Sequence, residues 1–261
     1  MLTAGSLGTE LRWGVSDSMV MAWRNVMRYA RSPDLLVFST VQPVMFVLLF
    51  TYVFGGAISG GAGNYIDFLL PGILMQTVLF GSTQTGIGLS EDLRSGMVDR
   101  YKSLPMARSA VIAGRILADT MRNGFVVALM IGVGTAIGFR FHGGLGGALA
   151  MPFLAVATGI AFSWISAFIG VSVKNTESAQ VAGFLWIFPL TFMSSAFVPV
   201  ETMPGWLQGF ANINPVTVTV NAARGMAQGG EVGTYLWQSL AWTAAILAVF
   251  VPLAVTKYRR V

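Results

Sequence analysis

No charged residue occurs between Asp34 and Asp67. About 20 apolar residues rising 1.5 Å each cross a ~30 Å hydrocarbon core, so a stretch of this kind reads as membrane-spanning. The whole chain follows the same pattern. It is 54% hydrophobic and only 10% charged, with a mean hydropathy of +0.68, where a soluble domain carries about a quarter charged residues. The bilayer is therefore the solvent that the fold must satisfy. Basic residues flank apolar runs and read as orientation signals rather than nucleic-acid contacts. The absence of cysteine removes any disulfide framework or thiolate metal site. Glu10, Arg12 and Asp17 precede the first long apolar run, which is not the pattern of a cleaved signal peptide.

Six spans are expected, at about 35–54, 65–90, 109–139, 149–173, 179–200 and 236–256. Residues 1–34 form an N-terminal part, loose over 1–14 and helical over 16–31. In that helix Met19, Trp23, Val26 and Ala30 recur at helical spacing, with Arg24, Asn25, Arg28 and Arg31 on the other side. It is too short and polar to span and suits the membrane interface. Pro33 disfavours helix at the preceding residue. Residues 35–261 form the transmembrane domain. Thr202–Ala223 is uncharged, but Pro204-Gly205, Asn212 and Asn214-Pro215 break it. It reads as two short re-entrant helices, Met203–Phe210 and about Thr217–Gln228, shielded by protein.

Arg115, Asp119 and Arg122 stand four and three residues apart and share one helix face. Charges in lipid are costly, so the third helix is expected to extend out of the membrane there. Gly134 and Gly138 form a small-xxx-small pair that permits close helix approach. His142 reads as a loop residue.

Charge is concentrated in one internal passage, Glu91–Arg108, which holds Glu91, Asp92, Arg94, Asp99, Arg100, Lys102 and Arg108. Six spans with both termini cytoplasmic leave only Arg140 and Arg224 outside among the basic residues, as the positive-inside rule favours. This passage is then cytoplasmic. The chain has no Gly-x-x-x-x-Gly-Lys-[Ser/Thr] loop, no His-Glu-x-x-His and no Gly-x-Ser-x-Gly. It reads as non-catalytic, so energy for any movement must arrive from another molecule. Ser95-Gly96 can break the second helix's extension. Met97–Leu104 can then form a short amphipathic segment, with Met97, Val98, Tyr101 and Leu104 on one side and Pro105 ending it.

The passage Leu89–Arg108 resembles the loop of ABC-2 type exporter permeases, especially the daunorubicin-resistance branch. Gly96, Asp99-Arg100, Ser103 and Pro105-Met106 carry the match. Further matches lie in Asn175–Gln180, Met193–Pro199, Met203–Leu207, Asn214-Pro215 and Arg224-Gly225. The resemblance implies an all-α integral membrane permease in the cell membrane, paired with itself and docked by two copies of a separate ATPase. That partner would carry ATP and Mg, with no cofactor on this chain. It implies a coupling helix involving Glu91, Asp92, Arg94, Gly96, Met97, Asp99, Arg100, Tyr101, Lys102, Leu104 and Pro105. It implies an extracellular re-entrant gate containing Pro204, Trp206, Asn214 and Pro215. The translocation path would lie at a two-fold axis, with Gln42, Phe46, Phe50, Gln84 and Phe188 as candidates to line it. The expected cargo is a hydrophobic or amphipathic drug-like or lipid-like compound. Alternatives are a polysaccharide or glycolipid exporter permease and, in a different class, a membrane-embedded lipid-modifying enzyme.

Overall fold

Helix α3, Tyr65–Arg94, is the element against which the others assemble. Leu69, Leu70, Ile73, Leu74 and Met75 are fully buried along it. It meets α2 (Pro33–Leu49), α4 (Arg108–Ala136), α5 (Gly144–Ser172), α6 (Thr176–Phe192) and α8 (Pro215–Gln228). The remaining elements are α1 (Ala4–Arg31), a π-helical continuation of α2 at Phe50–Phe54, a 3-10 turn Val200–Thr202, α7 (Gly205–Ile213) and α9 (Gly233–Arg260). The computed structural model describes residues 4–31, 33–55, 65–97 and 108–260.

The protein is an all-α integral membrane protein. Among the described residues, four helices are long and apolar enough to cross a bilayer: Tyr65–Arg94, Ala110–Ala136, Gly144–Ser172 and Gly233–Arg260. The apolar helix Thr40–Val53 and α6 are shorter. The boundaries differ from the expected ones where tertiary contacts intervene. Expected at 179–200, the fifth span is helical from Thr176 to Phe192. Asn175 starts it, its side chain accepting from the Ser178 N–H at 2.6 Å, as an N-cap should. Beyond Phe192 the backbone turns, and the Ser195 N–H donates to Thr217 Oγ1 on α8.

Helix α1 begins at Ala4 rather than near Ser16. Extending a formed helix needs no new nucleus, so Gly5, Ser6 and Gly8 are carried along despite poor propensity. Its protein-facing side is Met21, Ala22, Asn25 and Tyr29, all buried, while Met19, Val20 and Trp23 face outward. Helix α1 therefore packs on α4 and also presents an apolar outer face.

Helices α3 and α5 cross backbone to backbone at paired glycines. A Cβ at Gly170 would lie 2.2 Å from the Gly86 carbonyl oxygen, and one at Gly86 would lie 2.3 Å from that of Ser166. The expected Gly134–Gly138 approach is not a backbone crossing. Gly134 meets the Leu70 side chain, whereas Gly138 has φ +119° and open space around it. Gly170→Val is expected to cost about 1–3 kcal/mol through overpacking, read as a lower thermal unfolding midpoint in detergent. Gly132→Ala, in the interior of α4 where no neighbour lies within 4 Å, should not lower the midpoint and is expected to raise it slightly.

Candidate coupling and substrate site

Around the Arg94 end of α3, two helices share one charged network. Arg28 on α1 pairs with Glu91 at 2.8 Å and with Asp92 at 3.7 Å, and Arg24 reaches Asp92 at 3.5 Å. The helix then stops at Gly96, whose φ of +68° is the left-handed conformation that suits a helix C-terminus. The expected break at Ser95-Gly96 is present. Glu91 and Asp92, expected to dock a partner, are engaged by α1, while Arg94 is exposed and Gly96 and Met97 follow at the end of the described segment. Asp99, Arg100, Tyr101, Lys102, Leu104 and Pro105 lie outside the described residues.

One helical layer deeper, Asp119 on α4 is completely buried. It accepts from the Tyr29 hydroxyl of α1, from Thr85 Oγ1 of α3 at 2.6 Å and from Arg115 Nε at 3.4 Å. Arg122 lies 3.8 Å from it. Burial, reinforced by Asp119, pushes the Tyr29 hydroxyl up to about 12, so it stays protonated and donates. Arg115 also donates to the Gln84 carbonyl at 3.3 Å, and Arg122 to the Gly81 carbonyl at 2.7 Å. Gly88 leaves the space for the Arg115 guanidinium, since a Cβ there would lie 1.9 Å from it. Arg115, Asp119 and Arg122, expected where α4 extends beyond the membrane, are buried within protein. They are sealed inside protein by α1, because buried charges require partners and those partners lie on three helices. Tyr29 was missed in the sequence. The signal for Tyr29 was the Met21–Asn25–Tyr29 spacing, a second face on a helix whose Trp23 side drew the attention.

Arg122 is also on the wall of a cavity of about 130 Å³ between α2, α3, α4 and α6. Gln42, Phe46 and Gln84, three of the five path candidates, line it together with Gln76, Phe80 and Phe184. Phe50 and Phe188 do not line it. They belong instead to a chain of rings that leads away from it and returns. Phe46 stacks on Phe50 at 5.8 Å, Phe50 on Phe197 at 5.0 Å, Phe197 on Phe192 at 5.3 Å, and Phe192 on Phe188 at 5.2 Å. Phe188 then meets Phe80 edge-on at 5.3 Å. The π-helical turn at Phe50 is the kind of local widening that recurs at functional sites.

At the Tyr65 end of α3 the two short helices occur as Gly205–Ile213 and Pro215–Gln228. Asn214 caps the second, accepting from the Val216 N–H at 2.9 Å, and its amide donates to the Leu190 and Met193 carbonyls. Pro215 occupies the first turn, where its missing N–H costs nothing. Pro204 precedes α7, and Trp206 is exposed on it. Arg224 on α8 donates to the carbonyls of Phe68, Ser195 and Ala196, and its guanidinium stacks 3.5 Å over the Phe68 ring. Asp67 accepts from the Arg140 N–H, and His142 pairs with Gln228 in the adjoining loop.

Residues 17–227 match the family model described as ABC-2 type transporter. The chain belongs to the ABC-2 type transporter family. It is similar to a daunorubicin resistance ABC transporter permease protein of Streptomyces coeruleorubidus, at 34% identity over 94% of this chain and 87% of that one. It is similar also to a probable doxorubicin resistance ABC transporter permease protein of Mycobacterium tuberculosis, at 30% identity over 94% of this chain and 89% of the relative. A second doxorubicin resistance ABC transporter permease protein of that organism is 29% identical over 78% of this chain and 75% of its own. The ABC-2 permease is thus a multi-pass membrane subunit of a transporter, and its family works with an ABC ATPase.

Removing the carboxylate that Arg115 and Arg122 share leaves buried cations uncompensated. Asp119→Asn is expected to destabilise the permease by about 3–5 kcal/mol. Tyr29→Phe, which removes one hydrogen bond to a charged group, should cost about 1.5–3 kcal/mol. Thermal unfolding in detergent measures both. Hydrogen exchange should show α1 losing protection first in Tyr29→Phe.

Proposed function

We propose that this permease is the membrane subunit of an ATP-driven exporter moving a drug-like or lipid-like amphipathic compound out of the cell. In this reading six helices span the cell membrane, both termini are cytoplasmic, and two copies of the chain pair around the path. Two copies of a separate ATPase hold ATP and Mg. The Glu91–Arg108 passage docks the ATPase. The segment Thr202–Gln228, with Pro204, Trp206, Asn214 and Pro215, closes the outer mouth.

One observation carries the proposal: two polar clusters, joined through the backbone of α1, link the start of the docking passage to the cavity wall. Glu91 and Asp92 are tied to α1, α1 is tied through Tyr29 to Asp119, and Asp119 is tied to Arg122 on the cavity wall. A push on the passage has a chain of charge-assisted contacts to follow rather than a fluid apolar core. The cavity alone, at about 130 Å³, is well below the ~300–1,000 Å³ of drug-sized sites. It suits one half of a site completed by a second copy. The resistance activities in the names of the relatives support a drug-like cargo.

Co-purification with the ATPase and reconstitution tests this. Arg100→Ala and deletion of Gly96–Pro105 are expected to abolish cargo-stimulated ATP hydrolysis and transport while membrane insertion stays intact. Transport that survives the deletion overturns the assignment of the passage.

A further inference from the structure

Among the described residues, the cavity wall carries a single formal charge, and its sign points to the ligand. Arg115 and Arg122 share one carboxylate, Asp119, at 3.4 and 3.8 Å. The other two groups bonded to Asp119, Tyr29 and Thr85, are neutral donors. The next carboxylate along the network, Asp92, is engaged by Arg24 and Arg28. Among the described residues, the buried cluster therefore holds one more cation than anion. Arg122 is the member of it that reaches the cavity, and no Asp or Glu among the described residues lines that space. The same wall carries the rings of Phe46, Phe80 and Phe184.

We propose that this cavity is a binding subsite for the anionic head of an amphiphile, a carboxylate, sulfonate or phosphate on an aromatic or acyl body. Arg122 draws the head and the phenylalanines take the body. The subsite rests on the reading of the cavity as part of the translocation path. It adds the sign of charge that the path accepts: a cationic amphiphile meets an unbalanced guanidinium, with few waters to screen it. The selectivity is set by the shared carboxylate, because a second acid beside Asp119 would neutralise the cluster and remove it.

Two probes with the same body test this: pyrenebutyrate and (pyrenylbutyl)trimethylammonium, titrated onto the chain in phosphatidylcholine nanodiscs and onto empty nanodiscs. Pyrenebutyrate is expected to bind the chain on the order of tenfold more tightly than the ammonium probe. Gln84→Glu adds a carboxylate to the wall in an isosteric side chain and is expected to abolish or reverse that preference. Arg122→Gln should abolish it too, and if this variant fails to fold, Gln84→Glu still decides. Thr77→Trp fills the cavity and should remove binding of both probes. Equal affinities in the unmodified chain, or a preference untouched by Gln84→Glu, overturn the anionic subsite. If Thr77→Trp still blocks both probes, the path reading stands without it. Binding of both probes unaffected by Thr77→Trp overturns the path reading and the subsite together. Doping the nanodiscs with phosphatidylglycerol separates the two sources of anion. Competition identifies a bilayer lipid as occupant, and its absence a soluble amphiphile, either outcome supporting the subsite.

Discussion

Much of the structure depends on one carboxylate with no access to solvent. Asp119 is the meeting point of α1, α3 and α4, and each helix brings a different kind of partner: a phenol, a hydroxyl and two guanidiniums. Charges at membrane depth survive only in such company. The cost of assembling it is offset by what the arrangement fixes. Helix α1 cannot drift along α4 without breaking the Tyr29 hydrogen bond. Arg122 cannot swing away from the cavity without giving up the Gly81 carbonyl.

The opposite end of the molecule solves a related problem with different chemistry. Two short helices and the turn after α6 present backbone that no regular ladder satisfies. Asn214 and Arg224 supply the missing partners, the first to carbonyls at the end of α6 and the second to carbonyls of α3 and the 195–196 turn. These are the residues of the Asn-Pro and Arg-Gly pairs in the sequence. Their role at these positions is to tie the backbone of neighbouring segments.

Long uncharged runs and their Pro and Gly punctuation made the helix order legible, because span length and backbone satisfaction are local demands. What depends on distant residues was not legible. The end of α6 is decided by Thr217, more than twenty positions on. The burial of Arg115 and Arg122 is decided by α1. The crossing of α3 and α5 was visible in principle. Ser82, Gly86 and Ser90, and Ser166 and Gly170, are small residues four apart on helices α3 and α5. Gly134 and Gly138 carry the same spacing yet make no such contact, since spacing marks a smooth face and only a partner makes it a crossing. Of the path candidates, Gln42, Phe46 and Gln84 converge on one cavity while Phe50 and Phe188 sit in the ring chain. Aromatic and amide identity alone does not separate those two surroundings.

Helix α3 is fastened near both ends, to α1 through Glu91 and Asp92 and to α8 through the Phe68 carbonyl. Between them it bears on α5 at Gly86. That contact lies about 9 Å from Asp92 and about 27 Å from Phe68 along the axis, at 1.5 Å per residue. A rod tilting on such a fulcrum has unequal arms, so a displacement of about 1 Å at Asp92 would become roughly 3 Å at Phe68. The glycine crossing then sets a mechanical ratio: its position along α3 determines how far the Phe68 end moves for a given movement at the Asp92 end.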